Sequence, residues 1–233
     1  MKLHRFIGEF DFSKRRQVIC DRELVNQIKN VFRLKEGNEI LLGDGKMNEA
    51  LAKIVALQKD LLEAEITKIT PNERELETHG ILYCSVLKEN NFELVVQKAT
   101  EIGVKEIVPV LAKNTVKLNL NLEQLEKIIK EAAEQSGRGV LPVLHKPISF
   151  SEALKHSEGN DLNLFFRPSG MPLREVKRTV PRLGIFIGPE GGWIDEETEA
   201  AAKERDNFVM VSLGNLILRA ETAAIAAAYS CLN

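Results

Sequence analysis

The stretch Gly184-Ile185-Phe186-Ile187-Gly188-Pro189-Glu190-Gly191-Gly192-Trp193 decides the fold. It reads as a short apolar strand that runs directly into a loop of three glycines and a proline. Glycines at a strand end let backbone approach a ligand closely; the plain alternative is a tight turn. The loop matches neither the GxGxxG pattern nor the phosphate-binding loop with its Gly-Lys-Ser/Thr. The helix expected next opens with Asp195-Glu196-Glu197. These carboxylates suit the helix dipole but repel a phosphate seeking the same amides. A nucleotide held by its phosphates is therefore disfavoured. A ligand with adenine, ribose and a cationic centre is not, and S-adenosylmethionine has that description.

Outward from this strand, the pattern alternates. Strands are expected at 81–87, 107–111, 162–166, 183–187 and 208–213. Helices are expected at 92–102, stopped by Gly103, at 122–136, and from near Asp195 and near Thr222. In the 122–136 segment, Leu122, Leu125, Ile128, Ile129, Ala132 and Ala133 share one face, while Glu123–Lys127 and Glu126–Lys130 are i,i+4 pairs on the other. Strands alternating with helices imply an α/β domain with a mainly parallel sheet covered on both faces. Ligands of such sheets sit at the carboxyl ends of the strands.

Two further segments stand out. Leu213-Gly214-Asn215-Leu216-Ile217-Leu218-Arg219-Ala220-Glu221-Thr222-Ala223-Ala224 joins a strand to an alanine-rich last helix. Its apolar run predicts a loop buried against a ligand or a partner subunit. Thr222 is a candidate helix cap. Arg219 and Glu221 are either an ordinary ion pair or functional. In Glu134-Gln135-Ser136-Gly137-Arg138-Gly139, Gly137 is expected to end the helix in a left-handed cap. Arg138 is either a partner of the helix dipole or a phosphate or base contact.

The first seventy residues read differently, as mostly strand with one short helix at 23–32. Gly43-Asp44-Gly45 has hairpin-turn chemistry. The pattern suggests a small barrel. Pro71-Asn72-Glu73-Arg74 is the expected boundary, giving domains 1–72 and 73–233.

A net charge of −2 confines any RNA-binding surface to local clusters such as Lys14-Arg15-Arg16, Lys113 with Lys117, and Arg174, Lys177, Arg178 and Arg182. The three cysteines have no short-range pairing, which argues against a disulfide framework and a zinc ribbon and fits a reducing cytosol. The four histidines lack ligand spacing, so no metal is expected. The N-terminus has no apolar signal region, and no apolar run is long enough to span a membrane. The expectation is a cytoplasmic protein.

The segments taken together resemble the RsmE family of the SPOUT methyltransferase superfamily. The matching pieces are Gln97-Lys98-Ala99-Thr100-Glu101-Ile102-Gly103-Val104, Val116-Lys117, Glu134-Gln135-Ser136-Gly137-Arg138, the 187–192 loop, and Leu213-Gly214 through Ile217-Leu218-Arg219-Ala220-Glu221-Thr222-Ala223. His4-Arg5-Phe6, Val31-Phe32-Arg33-Leu34 and Gly43-Asp44-Gly45 look like that family's start. Trp193-Ile194-Asp195 and Asn114-Thr115 depart from the family's usual residues.

The resemblance implies a PUA-like barrel that helps hold RNA, then a SPOUT-type domain with a C-terminal trefoil knot. It implies a homodimer acting on 16S rRNA in the small ribosomal subunit, with S-adenosyl-L-methionine as cofactor and ring N3 of a uridine as target. Cofactor contacts would come from Ile187, Gly188, Pro189, Glu190, Gly191, Gly192, Leu213, Gly214, Ile217, Leu218, Thr222 and Ala223. Arg219 and Glu221 would be catalytic. Arg5, Arg33, Lys117, Glu134, Gln135 and Arg138 would contact RNA. The alternatives are a SPOUT enzyme acting on tRNA or a ribose 2′-hydroxyl, and a non-catalytic ribosome-assembly protein.

Overall fold

The structure, a computed structural model, describes residues 3–115, 120–204 and 207–233. The chain divides into two compact units, one of 1–75 with 133–141, the other of 76–132 with 142–233. The expected division at residue 72 took no account of the 133–141 segment.

The smaller unit contains β1 (His4–Ile7), β2 (Arg16–Ile19), the short helix α1 (Arg22–Asn26), β3 (Glu39–Gly43), β4 (Asn48–Leu57) and β5 (Leu62–Pro71). The strands form one sheet in the order β1-β3-β4-β5-β2. Asp21 caps α1 by accepting from the backbone N–H of Glu23 and Leu24. One turn of π-helix, Gln27–Val31, continues it, so the expected 23–32 helix exists with a changed pitch. The Gly43-Asp44-Gly45 turn joins β3 to β4. Asp44 Oδ1 accepts from the N–H of Lys46 (2.7 Å) and Asn48 (3.0 Å). Alternate strand residues (Ile40 and Leu42; Ala50, Ala52 and Ile54; Leu62, Ala64 and Ile66) close over Phe6, Val25 and Ile28 as one core.

The larger unit begins with β6 (His79–Ser85), α2 (Glu89–Ile102) and β7 (Glu106–Leu111), followed by α3 (Leu122–Ser136). The chain continues through β8 (Val143–Leu144), β9 (Ile148–Ser149), α4 (Phe150–His156) and β10 (Leu162–Pro172). It ends with β11 (Arg182–Ile187), α5 (Asp195–Glu204), β12 (Phe208–Ser212) and α6 (Ala220–Leu232). Every strand pair is parallel, in the order β12-β10-β11-β6-β7-β8, with β9 also on β7.

Both faces of this sheet are covered, as parallel sheets require. Leu82, Cys84, Ile107, Leu164, Ile185 and Ile187 face α2, α3 and α6. The intervening Ile81, Tyr83, Val108, Phe165 and Phe186 face α4 and α5. A Cβ on Gly80 would come within 2.6 Å of Leu232, so the end of α6 packs against β6 as closely as a glycine there allows. Gly103, at φ 109°, ends α2 as expected.

Helix α4 escaped the sequence reading, although Ser149 and Glu152 form a capping box there. Strand β10 is longer than expected because it bulges. Phe166 and Met171 both pair with Val211, and the returning Gly170 lies so close to the Val211 backbone that a Cβ would clash at 2.3 Å. Helix α6 starts at Ala220 with Arg219 as its N-cap, so Thr222 stands inside the helix and is not its cap.

The Gly137 cap is present at φ 83°, with Arg138 N–H bonded to Ala133 O. Within the smaller unit Arg138 is buried and bidentate to Glu75, through Nε (2.7 Å) and Nη2 (2.9 Å). Glu75 Oε1 also accepts from Gly139 N–H at 3.0 Å. Removing one partner of a buried pair strands the other charge. Arg138→Ala is expected to cost about 3–5 kcal/mol, read as a lower denaturant midpoint for the smaller unit; an unchanged midpoint would show the pair to be marginal.

Candidate active site

A cavity of about 600 Å³ opens in the larger unit at the carboxyl ends of its strands. Chain order explains its position. From β6 the chain winds outward through β7 to β8, whereas β11, β10 and β12 lie on the other side. The reversal falls between β6 and β11, where the crossovers diverge and leave a crevice.

The two expected loops supply its walls. Ile187, Gly188, Pro189, Glu190 and Gly192 line it from the end of β11. Leu213, Gly214, Ile217, Leu218 and Ala223 line it from beyond β12, with Arg219 and Glu221 beside them. Two expected contacts do not line it. Thr222 is exposed on α6. A Cβ on Gly191 would meet Asn114 at 3.2 Å, so its open side faces a neighbouring loop.

That neighbour braces the glycine loop. Asn114 Nδ2 donates to Gly192 O (3.1 Å) and Gly191 O (3.4 Å). Thr115 Oγ1 accepts from Ala112 N–H at 2.9 Å, which tightens the turn that presents Asn114. From α5, buried Glu197 accepts from Lys113 N–H (2.8 Å) and Ile194 N–H (3.1 Å). One acidic residue of that first turn therefore ties two loops together. Below the loop, Trp193 stacks on Phe165 with centroids 4.8 Å apart and donates Nε1–H to Phe166 O at 3.2 Å. A Cβ on Gly188 would approach the Trp193 ring to 3.1 Å, which explains glycine there. Both departures from the family pattern, Asn114 and Trp193, thus support the loop.

The lining carries both signs of charge. Glu221 is buried and, among the described residues, neither it nor Arg219 has an ion-pair partner, so the two do not pair with each other. Glu190 adds a second carboxylate to the wall, and its Oε1 accepts from Lys88 N–H at 3.3 Å. Lys88, Arg167 and Arg219 bring three cationic side chains to the lining. Cys84, nearby at the end of β6, is no nucleophile. Burial pushes its thiol up, and the Glu190 charge adds to the effect.

Sequence reasoning missed Phe166, Arg167, Pro168, Lys88 and Asn91, which also line the cavity. Lys88 and Asn91 follow the carboxyl end of β6, so the rule that led to the glycine loop extends to them, whereas Phe166, Arg167 and Pro168 lie within β10 where its register shifts, which no local pattern marks.

The expected RNA contacts fall in several places. Arg33 is exposed at φ 54°, and Gln135 is exposed. Arg5 is instead paired with buried Glu49 at 2.7 Å, and Glu134 accepts from Ile7 N–H at 2.8 Å. With Arg138 on Glu75, these three serve the core of the smaller unit, so a phosphate would have to displace buried partners. Lys117, with Val116, lies outside the described residues. Arg15 and Arg16 are bridged to Glu65 and Glu63 across β2 and β5.

Comparison with known proteins agrees with this geometry. The family model described as "RNA methyltransferase domain" matches residues 74–231, and "RNA methyltransferase PUA domain" matches 21–70. Ribosomal RNA small subunit methyltransferase E of Rickettsia conorii is 32% identical over 208 residues, 87% of this chain and 84% of the relative. The chain belongs to the ribosomal RNA small subunit methyltransferase E family. The Bacillus subtilis member is 30% identical over 87% of this chain and 84% of its own. The Neisseria gonorrhoeae member, solved with bound S-adenosyl methionine, superposes with a TM-score of 0.90 at 28% identity, covering 98% of this chain and 96% of that one. A Legionella pneumophila protein solved in complex with SAM superposes at 0.92 with 27% identity, covering 99% and 97%. The family's fold, a PUA-like domain followed by a SPOUT-type methyltransferase domain, is that of the two units.

The brace can be tested without a ligand. Asn114→Ala removes two hydrogen bonds at a partly exposed site, together worth about 1 kcal/mol. Amide exchange across 188–192 is expected to quicken about fivefold, with exchange in β6 and β11 unchanged. Unaltered loop exchange would show that Asn114 does not hold the loop.

Proposed function

We propose that this protein transfers a methyl group from S-adenosyl-L-methionine to ring N3 of a uridine in 16S rRNA of the small ribosomal subunit. The observation that carries this reading is one cavity lined by glycine backbone and carboxylates together with cations that have no ion-pair partner among the described residues.

The cavity fits the cofactor. Its volume is that of a small-molecule site. Ile187, Leu213, Leu218 and Ala223 offer an apolar surface for an adenine. The Gly188 and Gly192 backbone admits close approach, and Glu190 and Glu221 suit a cationic ligand. The cofactor supplies an activated methyl on a positively charged sulfur. The chain's part is to hold donor and acceptor in line, which is catalysis by positioning.

Neutral uridine is a poor nucleophile at N3, so the N3 proton must leave. Arg219, exposed and without an ion-pair partner among the described residues, is placed to stabilise the uridine anion through a carbonyl oxygen by preorganised charge. Glu221 lies two residues along on α6 and also lines the cavity, where it suits the cofactor's positive charge or orients Arg219 when substrate is bound. Lys88 and Arg167 suit RNA phosphates. The target base leaves its stack to enter.

The same reading includes a homodimer. Leu216 and Ile217 are 84% and 87% exposed at the cavity edge, and Tyr229 on α6 is 61% exposed. Apolar side chains so placed favour cover by a second copy. The reading also includes the trefoil knot that the family resemblance implies. In the smaller unit, exposed Arg33 beside the His4–Phe32 ring pair is a candidate RNA contact. No described helix is long and apolar enough to cross a membrane, and the reading includes a cytoplasmic location, which a ribosomal substrate supports.

Trp193 is the only tryptophan and lines the cavity, so its fluorescence reports cofactor binding directly. Arg219→Ala is expected to lower turnover by about 10²–10³-fold, the range for losing a preorganised charge. The cofactor titration followed through Trp193 should move less than about threefold, roughly 0.65 kcal/mol. Near-normal turnover in this variant would remove Arg219 from the chemistry. A Trp193 signal unmoved by S-adenosylmethionine in the native protein would remove the cofactor from this cavity.

A further inference from the structure

A second constellation lies at the opposite end of the same sheet. His79, Glu106 and Arg182 are the first residues of β6, β7 and β11, which are parallel neighbours, so their side chains gather at the amino edge. His145 follows β8, whose Val143 is registered with Glu106, and His156 ends α4. The cofactor cavity is at the carboxyl edge, so this cluster has no part in the chemistry proposed above.

The Glu106 carboxylate is divided between two surroundings. Its Oε1 is anchored by His79 Nε2 (2.6 Å) and Arg182 Nη2 (3.3 Å). Its Oε2 meets His145 Nε2 at 2.8 Å. The rings of His145 and His156 stand edge to face with centroids 5.0 Å apart. One ring nitrogen of each and a Glu106 oxygen all lie within 4.8 Å of one another. The His156 ring is held in turn by the hydroxyl of Tyr83, 2.8 Å from Nδ1. Tyr83 is fully buried and stacked on Phe186 at 4.2 Å, and its hydroxyl accepts from Asn160 Nδ2 at 3.3 Å.

We propose that Glu106, His145 and His156 form a binding site for a divalent transition-metal ion of the zinc class. Two imidazoles and one carboxylate are a donor set such ions take, with water completing the shell. Ligands of a tetrahedral ion with bonds of about 2.1 Å stand roughly 3.4 Å apart. A small rotation of the exposed His156 ring about its Tyr83 contact at Nδ1 closes the remaining distance, while Glu106 and His145 already stand in contact. The supporting groups are those a metal site needs, since His79 and Arg182 fix the carboxylate through Oε1 and Tyr83 fixes an imidazole. Bound there, the ion ties β7, the segment after β8, and α4 together at an edge where β8 and β9 have only two residues each.

The sequence hid this site because its histidines are dispersed, and register rather than spacing brings them together. The test uses the full chain with Cys20→Ser, which removes the one exposed thiol. After chelator treatment it is titrated with cobalt(II) chloride near neutral pH and then with zinc chloride. One equivalent of cobalt is expected to bind saturably, with visible ligand-field bands of nitrogen–oxygen coordination that zinc abolishes. His156→Ala and His145→Ala should each weaken binding at least tenfold. His156 is exposed, so its loss does not endanger folding, which circular dichroism checks. Failure of the Cys20→Ser chain to bind cobalt saturably, or binding unchanged in His156→Ala, would overturn the proposal and leave a hydrogen-bonded cluster without a metal.

Discussion

In a parallel sheet every strand must be re-entered from the same end, so each connection crosses back over a face. In the larger unit these crossovers bury the sheet on both sides. They also collect the loops after β6, β10, β11 and β12 at one edge, around the point where strand order reverses. The cavity, the glycine loop and the apolar loop before α6 are local consequences of that arrangement. So is the polar cluster at the other edge, where the strands' first residues meet. The two ends of one sheet thereby serve different chemistry.

What the scaffold leaves undetermined, a few side chains fix. A glycine-rich loop gains close approach at the cost of rigidity. Here rigidity is restored from outside the loop. Asn114 holds two of its carbonyls, Glu197 ties the supporting turn to α5, and Trp193 packs beneath Gly188. The acidic first turn of α5 is therefore partly structural, which is consistent with a cavity suited to a cation and not to phosphate. On the far wall, Arg219 and Glu221 are left without mutual pairing, and an arginine free of a carboxylate retains its field for a ligand.

Much of this was legible in the sequence, and the exceptions have physical reasons. The periodicity of α3 gave its limits to the residue, and the strand–glycine-loop sequence located the cavity, because local pattern controls both. The long β10 was not legible, since its bulge depends on Gly170 lying against Val211, far along the chain. Helix α4 carried a readable capping box at Ser149 and Glu152 that was passed over. Arg138, Arg5 and Glu134 were expected to contact RNA because the family resemblance implies it. Arg138 and Glu134 are buried and Arg5 is half-buried, because the 133–141 segment joins the smaller unit, which no local pattern records. The histidine cluster was hidden for the same reason, as strand register alone unites it.

The central claim is that this cavity directs a methyl group to a uridine ring nitrogen of ribosomal RNA. The most direct measurement incubates the protein with unmodified small ribosomal subunits and methyl-labelled S-adenosylmethionine, then digests the RNA to nucleosides. The account predicts that the label co-migrates with N3-methyluridine. Label in a 2′-O-methyl nucleoside, or no label with competent subunits and folded protein, would contradict it.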